Sequence, residues 1–252
     1  LKTMKLKQKI SLSNVSMACG LALLLSATSA SAYAPPDTVF LDTFDAPNGT
    51  ALNGRTPDIG SGAWSVTSGS PTINNGSVDT SSSTAYTFAF GTFTQALTTD
   101  GNLTLDFSTL APADGHFLGT SGFAGISLFA GNIEEVFLGL PGQGGYWGIS
   151  GTAIVGGTQS LPGVTSAAES AEYDYAFDTG SWTFTVGGQT VTGQATPGLA
   201  FNQVRIGGDH NNIASINVSG VQVTANYAPV PEPTPLALAG LGGLALWFRK
   251  RK

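Results

Sequence analysis

Between residues 37 and 226, large apolar residues recur at every second position in short runs. Leu103, Leu105 and Phe107 alternate with Thr104 and Asp106, and the same rhythm returns in Tyr173, Tyr175 and Phe177 and in Trp182, Phe184 and Val186. A period of two places each set on one face of a half-buried antiparallel strand. Asp178 to Ser181 joins the last two runs and Gly187-Gly188 leads on to residues 189–192, so 173–192 reads as a three-stranded meander. Further strands are expected at 38–44, 63–67, 84–90, 122–130, 136–140, 146–149, 203–206 and 215–225. No stretch of this region carries a helical period. Roughly a dozen short strands punctuated by Gly, Asn and Pro specify an all-β domain, an antiparallel two-sheet β-sandwich of the jelly-roll kind.

The two ends break the pattern. Lys2, Lys5, Lys7 and Lys9 precede an apolar run at 15–25, and a small-residue stretch closes on Ala30-Ser31-Ala32. This is the layout of a secretory signal peptide, with Met4 as the working start and cleavage by signal peptidase after Ala32. The apolar run is well short of the ~20 residues that a membrane span needs. Cys19, the only cysteine, falls in the discarded part, so the mature chain is expected to have no disulfide and no thiolate site. Export without disulfides fits a bacterial protein.

At the other end, Pro231, Glu232 and Pro233 precede thirteen mostly apolar residues at 236–248 and a basic tail of Arg249, Lys250, Arg251 and Lys252. As a helix that run rises roughly 20 Å against a hydrocarbon core of about 30 Å. Trp247 suits the interface, and the tail can snorkel while holding the C-terminus in the cytoplasm. The chain therefore divides into a signal peptide (1–32), a β-sandwich domain (33–228) and a membrane-directed tail (229–252).

Composition sharpens this division. Only 10% of the 252 residues are charged, where about a quarter is usual, so Ser, Thr, Asn and Gly must cover the surface. The 41% of hydrophobic residues excludes a disordered chain. Eight of the ten basic residues lie in the two end segments, leaving fifteen acids against Arg55 and Arg205, a charge of −13, between 33 and 229. Such a domain repels a phosphate backbone, which argues against nucleic acid as a partner and favours cations or neutral glycans.

The tail resembles the PEP-CTERM sorting signal of Gram-negative bacteria in its Val230-Pro231-Glu232-Pro233, its short Leu/Ala/Gly helix and its terminal basic cluster. The resemblance implies an exosortase that recognises Pro231, Glu232 and Pro233 and cuts near them, in a setting of exopolysaccharide and biofilm production. It also implies a protein tethered by its helix before processing and found at the cell surface or in the extracellular matrix afterwards. The prolines hold this segment extended and keep the helix from propagating into it. A second resemblance lies in the domain: Asp42 to Asp45, Gly49, Leu52 to Gly54, Pro57 and Trp64 look like the first strand of laminin-G-like or concanavalin-A-like domains. Residues 204–208 and 216–223 resemble their closing strands.

Candidate chemistry is sparse. His116 and His210 sit in loop contexts and read as solvated side chains, since no local motif supports a Ser-His-Asp arrangement. Glycosidases on the concanavalin-A-like fold carry carboxylates at alternate positions of one strand, and the nearest match is Glu172 and Asp174, with Asp178 further on. Glu134 and Glu135 are adjacent and expected on opposite faces. The loop 209–212 supports two readings, turn formation or calcium held through Asp209 and Asn211, with Asp42, Asp45 and Asp58 as further oxygen donors. Tyr146 and Trp147 follow a glycine-rich loop and read either as packing residues or as glycan contacts on a rim. The sequence thus points to a non-enzymatic exported surface or matrix protein that binds exopolysaccharide. The alternative is an extracellular glycan hydrolase or lyase.

Overall fold

The alternating runs become strands of two antiparallel sheets. A computed structural model describes residues 37–226 apart from 83–84, 98–100, 118–120, 143–144 and 213. The expected signal peptide, its cleavage at Ala32, the Pro231-Glu232-Pro233 motif, the membrane helix and the basic tail lie outside the described residues. Among the described residues no helix is long and apolar enough to cross a membrane.

In chain order the strands are β1 (Asp37–Asp42), β2 (Thr50–Ala51), β3 (Ser65–Ser68), β4 (Thr72–Asn74), β5 (Ser77–Asp79), β6 (Tyr86–Thr92), β7 (Asn102–Leu110), β8 (Ala124–Ala130), β9 (Ile133–Leu140), β10 (Trp147–Ser150), β11 (Gln159–Leu161), β12 (Ser170–Ala176), β13 (Ser181–Val186), β14 (Gln189–Gln194), β15 (Gln203–Asp209) and β16 (Asn217–Asn226). A nine-stranded sheet runs β14-β13-β12-β7-β16-β5-β4-β2, with β1 also paired to β16, and a seven-stranded sheet runs β11-β10-β9-β8-β15-β6-β3. The expected meander is β12-β13-β14, with Tyr173 opposite Phe184 and Phe184 opposite Val191.

The period-two pattern builds the core directly. Leu103, Leu105 and Phe107 of β7, Tyr173 and Tyr175 of β12, and Trp182, Phe184 and Val186 of β13 are buried from one sheet. Ile126 and Leu128 of β8, Val136, Leu138 and Leu140 of β9, and Val204 and Ile206 of β15 are buried from the other, in the same apolar cluster. Trp147 joins the layers, its ring centroid 6.0 Å from Phe107 and 4.9 Å from Phe117.

Strand ends differ from expectation for local reasons. β1 stops at Asp42, not at residue 44, because Phe44 takes a left-handed φ of 53° and donates its backbone N–H to Asp42 Oδ1 at 2.8 Å. β2, β4, β5 and β11, of two or three residues each, escape a periodicity reading because so short a segment has no period to show.

Candidate functional site

On the seven-stranded sheet, the residues out of phase with the core form an outward face with two distinct rows. One row crosses the sheet in register as Phe90, Arg205, Ser127, Phe137 and Ser150. The next reads Phe88, Gly207, Gly125, Gly139 and Gly148. A Cβ on Gly125 would stand 2.2 Å from the Leu138 carbonyl oxygen and 2.8 Å from the Phe137 ring, and one on Gly139 2.2 Å from the Ala124 oxygen. Gly125, Gly148 and Gly207 make room in the same way for the side chains of Phe137, Pro141 and Arg205, which lie across them. The result is a trough of about 710 Å³ lined by Phe88, Phe123, Ile133, Glu134, Phe137, Pro141, Ser150, Thr152 and Arg205, among others.

Its walls are aromatic. Tyr86, Phe88 and Phe123 stack nearly parallel, with centroids 5.8 to 6.2 Å apart and interplanar angles of 3° to 9°. The Arg205 guanidinium carbon lies 5.0 Å from the Phe88 centroid and 5.1 Å from that of Phe129, within cation–π range. Arg205 Nη2 donates to Ser127 Oγ at 2.9 Å and to Glu134 Oε1 at 2.6 Å. Burial pulls the Arg205 pKa below its usual value, opposed by the charge and hydrogen bond of Glu134. A guanidinium stays protonated even so. Its Nε is buried without a hydrogen-bond partner, so the trough holds one pinned cation with an unused donor.

The nine-stranded sheet carries a contrasting outward patch. Glu172 lies directly opposite Asp106, and Asp174, two residues along the same strand, accepts a hydrogen bond from Thr104 Oγ1 at 2.6 Å. Burial and then the charge of Asp174 push Asp106 above the usual carboxylate range. Glu172 is pushed up first by Asp174, then by burial and Asp106. Asp178 is exposed beyond the end of β12.

The other sequence candidates fall as follows. Trp147 is fully buried and donates its indole N–H to the Ser166 carbonyl at 2.8 Å, which corrects its reading as a rim contact: it packs in phase with Ile149. Its neighbour Tyr146 is half-buried. Asp209 is buried, accepting from the backbone N–H and the side-chain amide of Asn212, while Asn211 is exposed on the same 3₁₀ turn. This is the turn-forming arrangement. Asp42 is also consumed internally, by the Arg55 guanidinium, the Trp64 indole N–H and the Phe44 backbone, and Asp58 accepts from the hydroxyl and backbone N–H of Thr43. Burial pushes Asp42 above the usual carboxylate range, although Trp64, Phe44 and Arg55 all favour its charged form. The two histidines are not the separate solvated side chains expected: both turn Nδ1 toward Asp114.

Residues 229–252 match the family model of the PEP-CTERM protein-sorting motif. The chain carries a PEP-CTERM sorting motif. Such a motif implies export and processing by an exosortase. No curated protein matches the chain in sequence. Among solved structures, the domain is similar to the receptor binding domain of botulinum neurotoxin mosaic serotype C/D, at 10% identity and a TM-score of 0.46 over 77% of this chain and 50% of that one. It is similar to SCLam, a non-specific endo-β-1,3(4)-glucanase, at 10% identity and a TM-score of 0.42 over 77% and 92%. It is similar to arcelin-5, a lectin-like defense protein from Phaseolus vulgaris, at 7% identity and a TM-score of 0.43 over 65% and 92%. The chain spans about half the length of the neurotoxin domain it matches.

Proposed function

We propose that this PEP-CTERM protein is a non-enzymatic exported component of the cell surface or extracellular matrix. In this reading its domain is a concanavalin-A-like jelly roll that binds neutral exopolysaccharide in the trough of the seven-stranded sheet. The observation that carries the proposal is the sorting motif at 229–252, which makes the last residues a substrate for processing. The trough supports the binding role. Its volume of about 710 Å³ lies within the range usual for ligand sites, and apolar rings beside a few fixed polar groups suit a sugar ring. The domain's excess of acids disfavours anionic polymers.

The second reading, a glycan hydrolase or lyase, is favoured by Asp106, Glu172 and Asp174 sharing one sheet face with two of their pKa values raised. Carboxyls grouped on one sheet face are what the acid and nucleophile of glycoside hydrolysis require. One experiment separates the two. The protein is presented to a panel of neutral polysaccharides, with retention and new reducing ends measured together. Retention without new ends is expected, and Phe88→Ala and Phe123→Ala should each weaken it about tenfold. Release of reducing sugar that Glu172→Gln abolishes would establish the second reading and overturn the first.

A further inference from the structure

We propose that Asp114, His116 and His210 form a site for one divalent transition-metal ion of the zinc class. The three residues come from two places far apart in the chain: the loop after β7, and the 3₁₀ turn His210–Asn212 that follows β15. Among the described residues, theirs is the one group of three or more His, Cys, Asp or Glu side chains whose ligand atoms all lie within 4.8 Å of one another.

Asp114 Oδ2 stands 3.3 Å from His116 Nδ1 and 3.2 Å from His210 Nδ1. These spacings are those of a tetrahedral edge. Ligands held 2.0–2.1 Å from a tetrahedral zinc ion are about 3.3 Å from each other. All three atoms are buried, and none has a hydrogen-bond partner. A simple ion pair would aim each ring N–H at the carboxylate; here the atoms approach without that alignment, as lone pairs turned toward a common point would. Leaving three buried polar atoms unsatisfied is costly, and a cation among them removes the cost.

The surroundings prepare the carboxylate for this role. Its other oxygen, Oδ1, accepts the His116 backbone N–H at 3.0 Å and the Ser215 hydroxyl at 2.7 Å, which fixes the rotation of the group and leaves Oδ2 for the ion. Two imidazoles and one carboxylate select zinc, copper, nickel or cobalt over calcium, which takes six to eight oxygens. Three protein ligands also leave a coordination position for water or a ligand oxygen. The ion would staple the loop to the turn beside the trough, since Asp209 donates its backbone N–H to the Phe123 carbonyl at 2.8 Å.

The test uses the full chain made without a histidine tag, stripped by chelator and titrated with Co²⁺ and then Zn²⁺. The chain has only two histidines, both in this site, so any imidazole ligation must come from here. The expected result is one Co²⁺ per chain with visible d–d absorption that Zn²⁺ abolishes. Zn²⁺ at a hundredfold excess over its Kd should raise Tm by about 5–10 °C. His116→Ala and His210→Ala, and the isosteric Asp114→Asn, should each weaken binding about 100-fold or more. No uptake of Co²⁺ or Zn²⁺ at millimolar metal, uptake that both histidine variants retain, or preferential uptake of Ca²⁺ would overturn the proposal.

Discussion

Asp42 shows what the first strand's conspicuous residues are for. Its carboxylate is fully buried and accepts from the Trp64 indole N–H at 2.6 Å, from Phe44 N–H at 2.8 Å and from the Arg55 guanidinium. Removing one partner of a buried pair strands the other, which typically costs about 3–5 kcal/mol. Asp42→Ala should therefore lower stability by about that amount in urea unfolding. A loss below about 1 kcal/mol would mean that Arg55 and Trp64 find other partners. The same residue marks how far the sequence can be read. That Asp42, Leu52, Pro57 and Trp64 belong together was legible through their resemblance to the first strand of laminin-G-like or concanavalin-A-like domains. Their role was not, because a carboxylate in a cluster looks alike whether it binds calcium or a neighbouring guanidinium. Trp147 is the opposite case: its alternation with Ile149 already carried the core signal, and the preceding glycines pointed away from it.

At the level of elements, strands with four or more alternating residues announce themselves, whereas which strand lies beside which does not. Asp106 illustrates this. Its own strand placed it on the polar face, opposite in phase to Leu105 and Phe107, yet nothing local could bring it to Glu172, far along the chain. The register of β7 against β12 does so, and that register depends on long-range packing. The glycine row of the seven-stranded sheet was hidden for the same reason, since Gly125, Gly139, Gly148 and Gly207 come from four strands. Like charges directly opposite one another across a ladder cost about 0.2–1 kcal/mol. The pKa values of Asp106 and Glu172 are raised in the folded state, so the patch favours folding below the unfolded carboxylate pKa and loses that contribution as pH rises through the folded values. Asp106→Asn should accordingly raise Tm at pH 7 by about 1–4 °C and leave it unchanged near pH 3. Thermal melts across that range check the sign; an increase that is larger at the acid end would contradict it.

For the molecule as a whole, the uneven placement of charge is the organising fact. Eight of ten basic residues belong to end segments, and the domain between keeps Arg55 bonded to Asp42 and Arg205 bonded to Glu134. Both arginines of the domain thus make internal pairs, one within the first strand's cluster and the other in the lining of the trough. What reaches solvent is acidic or neutral, in keeping with uncharged glycans as ligands. The C-terminal sorting motif was the most legible property of the chain, because such an address is read as a linear peptide and needs no fold. The trough and the His-Asp cluster exist only once strands are paired.

Sorting is the central claim, and the mass of the intact protein recovered from cells that express an exosortase tests it most directly. The account predicts a chain that begins at Tyr33 and ends close to Pro231-Glu232-Pro233, without residues 236–252. A mature protein that still carries Arg249 to Lys252 in those cells would contradict it.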